Sequence, residues 1–483
     1  MRRPRCSIIP PYVLQAIAES SDPVAAARAT RALERDATLR ERRQGRFEAA
    51  PAPSLPPEVT VPPGARESPQ RVVSDAANAE RLPGRVVRRE GGPATGDAAA
   101  DEAYDGLGAT WELYATAYGR NSLDDHGLPL LASVHYGRDY DNAFWDGTQM
   151  VFGDGDGRYF RRFTASLDVI GHELTHGVTE LTAGLTYRGQ PGALNESVSD
   201  VFGSLVRQRL LGQRADEADW LIGADLFTDA VQGVALRSMA APGTAYDDPV
   251  LGRDPQPAHM DDYVETTDDN DGVHINSGIP NRAFFLAATA VGGYAWETVG
   301  PLWYAVLTGP GIRADCDFAT FAGLTVAAAR DEHGHDSPVA QAVQSAWEQV
   351  GVLRAPAPGP PAPDQTASDD TAPDESVPAE PAGEGRQAPD GGTEVLVRRT
   401  GGFAGMTRER AVRLEELPRE DADQWNHLLV NRRLSAFANG PTHPDAYCYE
   451  VRCDAPPTQV SMPEPRLPDE VRDLLERTLS TGD

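Results

Sequence analysis

Residues 167–181 read LDVIGHELTHGVTEL, and residues 193–202, shortly after, read ALNESVSDVF. In the first stretch Leu167, Val169, Ile170, Leu174, Val178 and Leu181 give the spacing of a helix with a broad apolar side. His172 and His176 are four residues apart on one face, so both imidazoles can reach one ion. Glu173 lies beside them. Polar side chains set into an apolar stripe need partners, and a metal supplies one. In the second stretch Glu196 and Asp200 lie one turn apart among Leu194, Val198, Val201 and Phe202. Glu196 fits as a third protein ligand that leaves a fourth position open, the arrangement of a catalytic rather than a structural zinc ion. Asp200, on the same face, suits an acceptor for a ligand imidazole N–H. A histidine pair at this spacing also arises by chance, and lone carboxylates usually face solvent. The two helices together outweigh those readings.

Outward from this pair of helices, the composition divides the chain. Residues 1–48 carry helical spacing from Pro11 to Arg43, and 49–70 are a Pro-rich extended linker. A long globular stretch occupies 71–354. Its strand-like pieces (GRVVRRE, LASVHYG, TQMVFGDG) come first and its helix-like pieces later, an α+β arrangement. Residues 355–392 are acidic and Pro-rich with little to bury, and are expected to be disordered. Residues 393–483 form a last unit with strand-like runs (EVLVRR, YCYEVRC) around helical patterns.

The net charge of −29 argues against nucleic acid and anionic membranes as partners, because both select Lys/Arg patches. No apolar run is of membrane-spanning length. The N-terminal MRRPRCSIIPPYVLQAIAESSD starts with positive charge, but Pro10, Pro11 and Gln15 interrupt any apolar core. No Sec signal is read there, so the protein is expected in the cytoplasm or exported by another route. Cys6, Cys316, Cys448 and Cys453 form no C-x-x-C pair. Cys448 and Cys453, five apart, point to opposite faces of one strand and are expected to be thiols.

The run GHELTHGVTELTAGLTYRGQPGALNESVSDVFG (171–203) resembles the active-site region of the thermolysin family of metallopeptidases. NAFWDGTQMVFGDG (142–155), RSMAAP (237–242) and DGVHINSGIPNRAF (271–284) continue the likeness in the family's order, over about Arg71 to Val352. The resemblance implies a two-lobed catalytic domain, with a β-rich N-lobe and a helical C-lobe meeting at the zinc helix. It implies Zn²⁺ on His172, His176 and Glu196, with Asp200 orienting His172. Glu173 would take a proton from the attacking water and pass it to the leaving amine. Tyr187 and His274 match the donors to the developing oxyanion, and Asp269 the carboxylate that holds His274. Asn142 and Ala143 match the edge segment that binds substrate backbone, and Arg237 the arginine that holds a substrate carbonyl. Phe160, Phe163, Val169 and Leu236 match the lining of an apolar pocket just after the scissile bond, which implies cleavage before Leu, Phe, Ile or Val in protein or peptide substrates. Asp168 matches a carboxylate of a paired calcium site, but Arg207 stands where longer members carry Glu. A guanidinium cannot ligate Ca²⁺. That site is expected to be absent, and calcium dependence stays open. A silent scaffold and a hydrolase of another substrate are the alternatives; the filled catalytic positions and the NAF segment with Arg237 favour a peptidase.

CSIIPPYVL (6–14) resembles the short propeptide of protealysin-like members, which implies a segment folded across the cleft in cis until it is cut off. The Cys6 thiolate is a candidate zinc-blocking ligand in such a precursor, although a lone cysteine near a terminus is more often incidental. VLVRRTGGFAG (395–405), ELPREDADQWNHLLVNRR (416–433) and YCYEVRCD (447–454) resemble emfourin, a small protein inhibitor of protealysin-like peptidases. The fusion implies a peptidase restrained by its own C-terminal unit at high effective concentration. A module that binds substrate or a cell surface is the other reading.

Overall fold

The computed structural model describes residues 7–46, 68–354, 393–401, 408–430, 434, 447–454, 457–464, 467 and 469–480. The linkers at 49–67 and 355–392, and Cys6, lie outside the described residues. The chain divides into two compact units, Met1–Pro361 and Ala362–Asp483.

The first unit opens with two helices, α1 (Pro11–Ala18) and α2 (Pro23–Arg46). Proline at the first helical position suits both, since its missing N–H would have no intrahelical partner there. Asp22 caps α2 by accepting from Val24 N at 2.8 Å and Ala25 N at 3.2 Å. A five-stranded sheet follows. Its strands are β1 (Arg71–Asp75), β2 (Arg85–Arg89), β3 (Leu130–Val134), β4 (Ala143–Trp145) and β5 (Met150–Phe152). The spatial order is β2-β1-β3-β5-β4. β1, β3 and β5 run parallel and the outer strands antiparallel, so β4 lies at an edge with one side open to pairing.

The β-rich half also holds a 21-residue helix, α3 (Ala98–Tyr118), which the sequence reading did not single out. Gly106 and Gly108 disguise it. Each lets another side chain approach closely: a Cβ at Gly106 would stand 2.4 Å from Ile170, and one at Gly108 2.3 Å from Arg71. The helical half carries α4 (Leu167–Leu181), α5 (Gly189–Leu211), α6 (Asp269–Asn276), α7 (Gly278–Val291), α8 (Ala295–Thr298), α9 (Gly300–Thr308), α10 (Phe318–His333) and α11 (Pro338–Gln349). A short strand pair, β6 (Leu221–Ile222) and β7 (Arg237–Ser238), lies between α5 and α6 in sequence. One apolar core runs through both halves and includes Ile8, Ile9, Val13, Leu14 and Ile17 of the N-terminal segment.

The second unit, taken by itself, is a four-stranded antiparallel sheet of strands 408–413, 394–401, 447–454 and 457–463, in that order, with helices Arg419–Val430 and Asp469–Ser480. Its core centres on Trp425, whose indole N–H donates to Thr478 Oγ1 at 3.0 Å. Cys448 and Cys453 fall on one strand with different cross-strand neighbours and are not joined. No helix of the described residues is long and apolar enough to cross a membrane.

His135, just after β3, ties the two halves of the sheet lobe together. Its ring lies 2.9 Å from Asp154 on one side and 2.9 Å from Asp97, the N-cap of α3, on the other. The bond to Asp154 raises its pKa, burial opposes, and Asp97 adds to the rise, to about 9 from 6.5. A raised folded-state pKa stabilises fully below the unfolded value and is lost as pH rises through the folded one. The melting temperature advantage of the wild type over His135→Gln is therefore expected to be largest below pH 6.5 and to shrink towards pH 9, as measured by calorimetry across that range.

Candidate metal centre

α4 and α5 approach so closely that no side chain fits between them. A Cβ on Gly203 would stand 2.3 Å from the backbone oxygen of Asp168, and one on Gly171 would be 3.0 Å from Gly203 Cα. This contact brings Glu196 and Asp200, on successive turns of α5, up to the histidine face of α4.

The Nε2 atoms of His172 and His176 lie 3.0 Å apart. Glu196 reaches both, with Oε2 at 3.5 Å from His172 Nε2 and Oε1 at 3.6 Å from His176 Nε2. The opposite ring nitrogens are already engaged. His172 Nδ1 is 2.7 Å from Asp200 Oδ1, and His176 Nδ1 is 2.8 Å from Asn195 Oδ1 and 3.0 Å from Ser199 Oγ. With Nδ1–H donating to those acceptors, both Nε2 lone pairs aim at the same point. Burial pushes His176 down to about 4, so its ring is neutral at pH 7. Two facing lone pairs repel unless a cation lies between them. Three buried donors of this kind, all within 4.8 Å of one another, fit Zn²⁺.

Around this group the charges are paired. Arg237, on β7, is buried and donates to Asp200 through Nε at 2.8 Å and Nη2 at 2.7 Å. Burial alone would raise Asp200, but Arg237 and His172 hold it below the usual carboxylate range. Glu196 is likewise opposed by burial and pulled down to about 2 by His274, His176, His172 and Arg237. Glu173 differs: burial and the charge of Glu196 push it well above its ordinary value. Glu173 Oε2 accepts from the Trp145 backbone N–H at 2.9 Å, which anchors it to edge strand β4.

His274 is placed by an unusual turn. Asp269, Asn270, Asp271 and Gly272 all have positive φ at the start of α6. Asp, Asn and Gly are the residues that tolerate this conformation. The turn folds Asp269 back onto its own helix, where it accepts from His274 N at 2.8 Å and bonds His274 Nδ1 at 2.6 Å. Burial pulls His274 down, but Asp269 and Glu196 outweigh it and hold the ring up at about 9. Tyr187, between α4 and α5, donates to Glu196 Oε1 at 2.5 Å and lies 3.2 Å from His274 Nε2.

The N-terminal segment crosses this site. Ile8 N donates to Ala143 O at 3.2 Å, and Ile8 O accepts from Arg237 Nη1 at 3.4 Å. Ile9 N donates to Asn142 Oδ1 at 3.0 Å, and Asn142 Nδ2 returns a bond to Ile9 O at 3.4 Å. Ile8 and Ile9 are fully buried in the same apolar cluster as Phe160, Phe163, Val169 and Leu236. Asn142, Ala143 and Arg237, singled out from the sequence as substrate contacts, thus all hold backbone of the chain's own N-terminal segment.

Elsewhere, Arg207 lies among carboxylates, 3.7 Å from Asp168, 3.0 Å from Asp225 and 3.6 Å from Asp219. Sequence reasoning missed Asn195 and Ser199, which hold His176, and Asn281, which donates to Asp200 Oδ2 at 2.9 Å. Asn195 and Ser199 flank Glu196 on α5, so asking what holds the second imidazole would have found them. Asn281, on α7, carried no such signal.

Known proteins match this chain in both units. Residues 71–180 match the family model described as the thermolysin metallopeptidase catalytic domain, and 183–352 its alpha-helical domain. Residues 397–479 match emfourin. An extracellular metalloprotease of Pectobacterium carotovorum subsp. carotovorum is 51% identical over 350 residues, covering 72% of this chain and 97% of that protein. A thermolysin of Alicyclobacillus acidocaldarius subsp. acidocaldarius is 40% identical over 263 residues, 53% of this chain and 46% of that one. The solved precursor of protealysin, a metalloproteinase from Serratia proteamaculans, superposes with a TM-score of 0.64 at 53% identity, covering 72% of this chain and all of that one.

Proposed function

Because the chain belongs to the thermolysin family of zinc metalloendopeptidases, we propose that it is a self-processing precursor that cuts peptide bonds before large apolar residues. It is protealysin-like in its N-terminal part and emfourin-like at its C-terminus. The observation that carries the proposal is the Ile8–Ile9 backbone laid along edge strand β4 beside Glu173. An extended segment added to a sheet edge is a common way to bind peptide, with main-chain bonds for affinity and pockets for specificity.

Ile8 then stands for the residue just after the scissile bond. Its N–H lies close enough to Glu173 to pull that carboxyl down against burial, and Arg237 holds its carbonyl. His172, His176 and Glu196 would hold the zinc ion, which would supply polarisation of the scissile carbonyl and activation of water. Glu173 uses Oε1, buried and without a hydrogen bond among the described residues, to take the proton of the attacking water and hand it to the leaving amine. Burial and the charge of Glu196 raise its affinity for a proton. His274, kept cationic by Asp269, and the Tyr187 hydroxyl donate to the negative charge growing on the carbonyl oxygen. Asp200 fixes His172 and Arg237 together. Calcium has no part in this scheme, and the guanidinium of Arg207 among Asp168, Asp219 and Asp225 supports its absence from that position.

The N-terminal segment, through Ile8 and Ile9, blocks the cleft until it is removed; Cys6 as a further ligand lies outside the described residues. The emfourin-like unit restrains the matured enzyme in cis, supported by its family match and by the tether of residues 355–392. Substrates are met outside the cell, as the name of the Pectobacterium relative suggests.

Three measurements test the reading. Followed by intact mass, the wild type is expected to lose its N-terminal segment, whereas Glu173→Ala and chelator-treated wild type stay whole. Both staying whole, or both being trimmed, would contradict self-processing. In a peptide library the matured protein is expected to cut before Leu, Ile, Phe or Val; dominance of a charged residue there would refute the assignment of Phe160, Phe163, Val169 and Leu236. Removing residues from Thr393 onward is expected to raise kcat/KM of the matured protein, and an unchanged value would dismiss restraint.

A further inference from the structure

Beside the cleft, Asp139 and Asp156 lie near enough to Asp141 for their charges to act on it, and Glu80 is reached by helix α2. Asp141 immediately precedes Asn142, the residue that holds Ile9. The residue is only 3% exposed, and Oδ1 has no hydrogen-bond partner among the described residues. Burial pushes this carboxyl up to about 8 and the charges of Asp156 and Asp139 push the same way, while Arg28 and Arg31 pull it down. Asp141 is therefore mainly protonated at neutral pH and brings to this edge a buried, unpartnered polar group rather than a charge.

The cations on this edge come from α2 and meet the neighbours of Asp141. Arg28 Nη2 lies 3.4 Å from Asp139 Oδ2, and Nη1 donates to Asp156 O at 3.2 Å. Arg35 Nη2 lies 2.7 Å from Glu80 Oε1, and Nη1 donates to Arg138 O at 3.5 Å. Arg28, Arg31 and Arg35 fall at i, i+3 and i+7, one face of a helix. At the start of α2 the polarity reverses, with Asp22 paired to Arg158. The bias extends to composition: residues 1–48 hold ten arginines against six carboxylates in a chain of net charge −29. Once the N-terminal segment has gone, the guanidinium groups leave and the carboxylates stay, with Asp141 next in sequence to the Asn142 that meets Ile9.

We propose that this acidic edge is a secondary substrate-binding site, which takes arginine-bearing segments of protein substrates on the C-terminal side of the cut and is filled by α2 in the precursor. The proposal rests on the peptidase reading above. It adds a preference set by charge, at a distance from the bond cleaved, to the apolar preference set next to that bond. Carboxylates also attract small cations, but Arg28 and Arg35 reach main-chain carbonyls as well as carboxylates. That mixed acceptor set suits the several N–H groups of a guanidinium.

The test uses the protein after loss of its N-terminal segment. Two fluorogenic peptides share one cleavage sequence and a C-terminal helical extension. In one the extension carries arginines at the spacing of Arg28, Arg31 and Arg35; in the other glutamines replace them. The arginine peptide is expected to have a kcat/KM about tenfold higher, through a lower KM with similar kcat, as two or three partly exposed ion pairs provide. That ratio should fall towards one in Asp139→Asn/Glu80→Gln, and in the wild type as sodium chloride is raised. Equal cleavage of both peptides by the wild type, or a ratio that survives both the substitutions and salt, overturns the proposal. So does loss of the preference in micromolar Ca²⁺ at constant ionic strength, which would make the edge a metal site. If neither peptide is cut, the peptidase reading itself has failed.

Discussion

The active site depends on the backbone contact between α4 and α5 at Gly171 and Gly203. Each helix carries part of a metal site that is useless alone. Only when the two backbones touch does Glu196 come within 3.6 Å of both imidazoles while Asp200 reaches the far side of His172. A methyl group at Gly203 would strike the Asp168 carbonyl, and such overpacking costs about 1–3 kcal/mol where the core cannot yield. Here the helices could separate only by pulling the ligands apart. The apolar side of α4, with Val169, Ile170, Leu174 and Val178 fully buried, holds them together.

The second constraint is electrostatic. Asp200 is shared by His172, Arg237 and Asn281, so the arginine that touches the Ile8 carbonyl and the imidazole that faces the metal are braced against one carboxylate. Removing one member of such a buried pair leaves an uncompensated charge, at a cost of roughly 3–5 kcal/mol. The arginine that meets the N-terminal segment and a histidine of the metal-binding group are therefore coupled through a single side chain. His274 depends on a different device, the run of left-handed residues that turns Asp269 back onto it. The two carboxylates, Asp200 and Asp269, act alike: each bonds the Nδ1 of one histidine, His172 and His274 respectively.

The N-terminal segment meets the catalytic domain at two chemically distinct places. In the cleft it uses main chain and two buried isoleucines. Along α2 it uses arginine, set against carboxylates on the sheet lobe. Both share the short stretch around Asp141 and Asn142, so occupation of the cleft and of the acidic edge is geometrically linked.

Much of this was legible in the residues. The helical spacing of 167–181 and 193–202 marks both metal-bearing helices, and the histidine pair with Glu196 names the ligands, because side-chain period and donor chemistry are local properties. The strand at 447–454 likewise puts Cys448 and Cys453 out of each other's reach by alternation alone. Other features were not local. α3 hid behind two glycines whose purpose is to admit Ile170 and Arg71, neighbours far away in the chain. Asn281 gave no sign of reaching Asp200 from α7, and the likeness of residues 6–14 to a propeptide implied a segment across the cleft without showing that Ile8 would be the residue to meet Ala143 and Arg237. By itself the sequence determined the two metal-bearing helices and which atoms can bind a metal, since those follow from periodicity and from the chemistry of each side chain. Tertiary structure alone decided what stands opposite those atoms, because close approach, burial and the pairing of charges arise only when distant segments pack together.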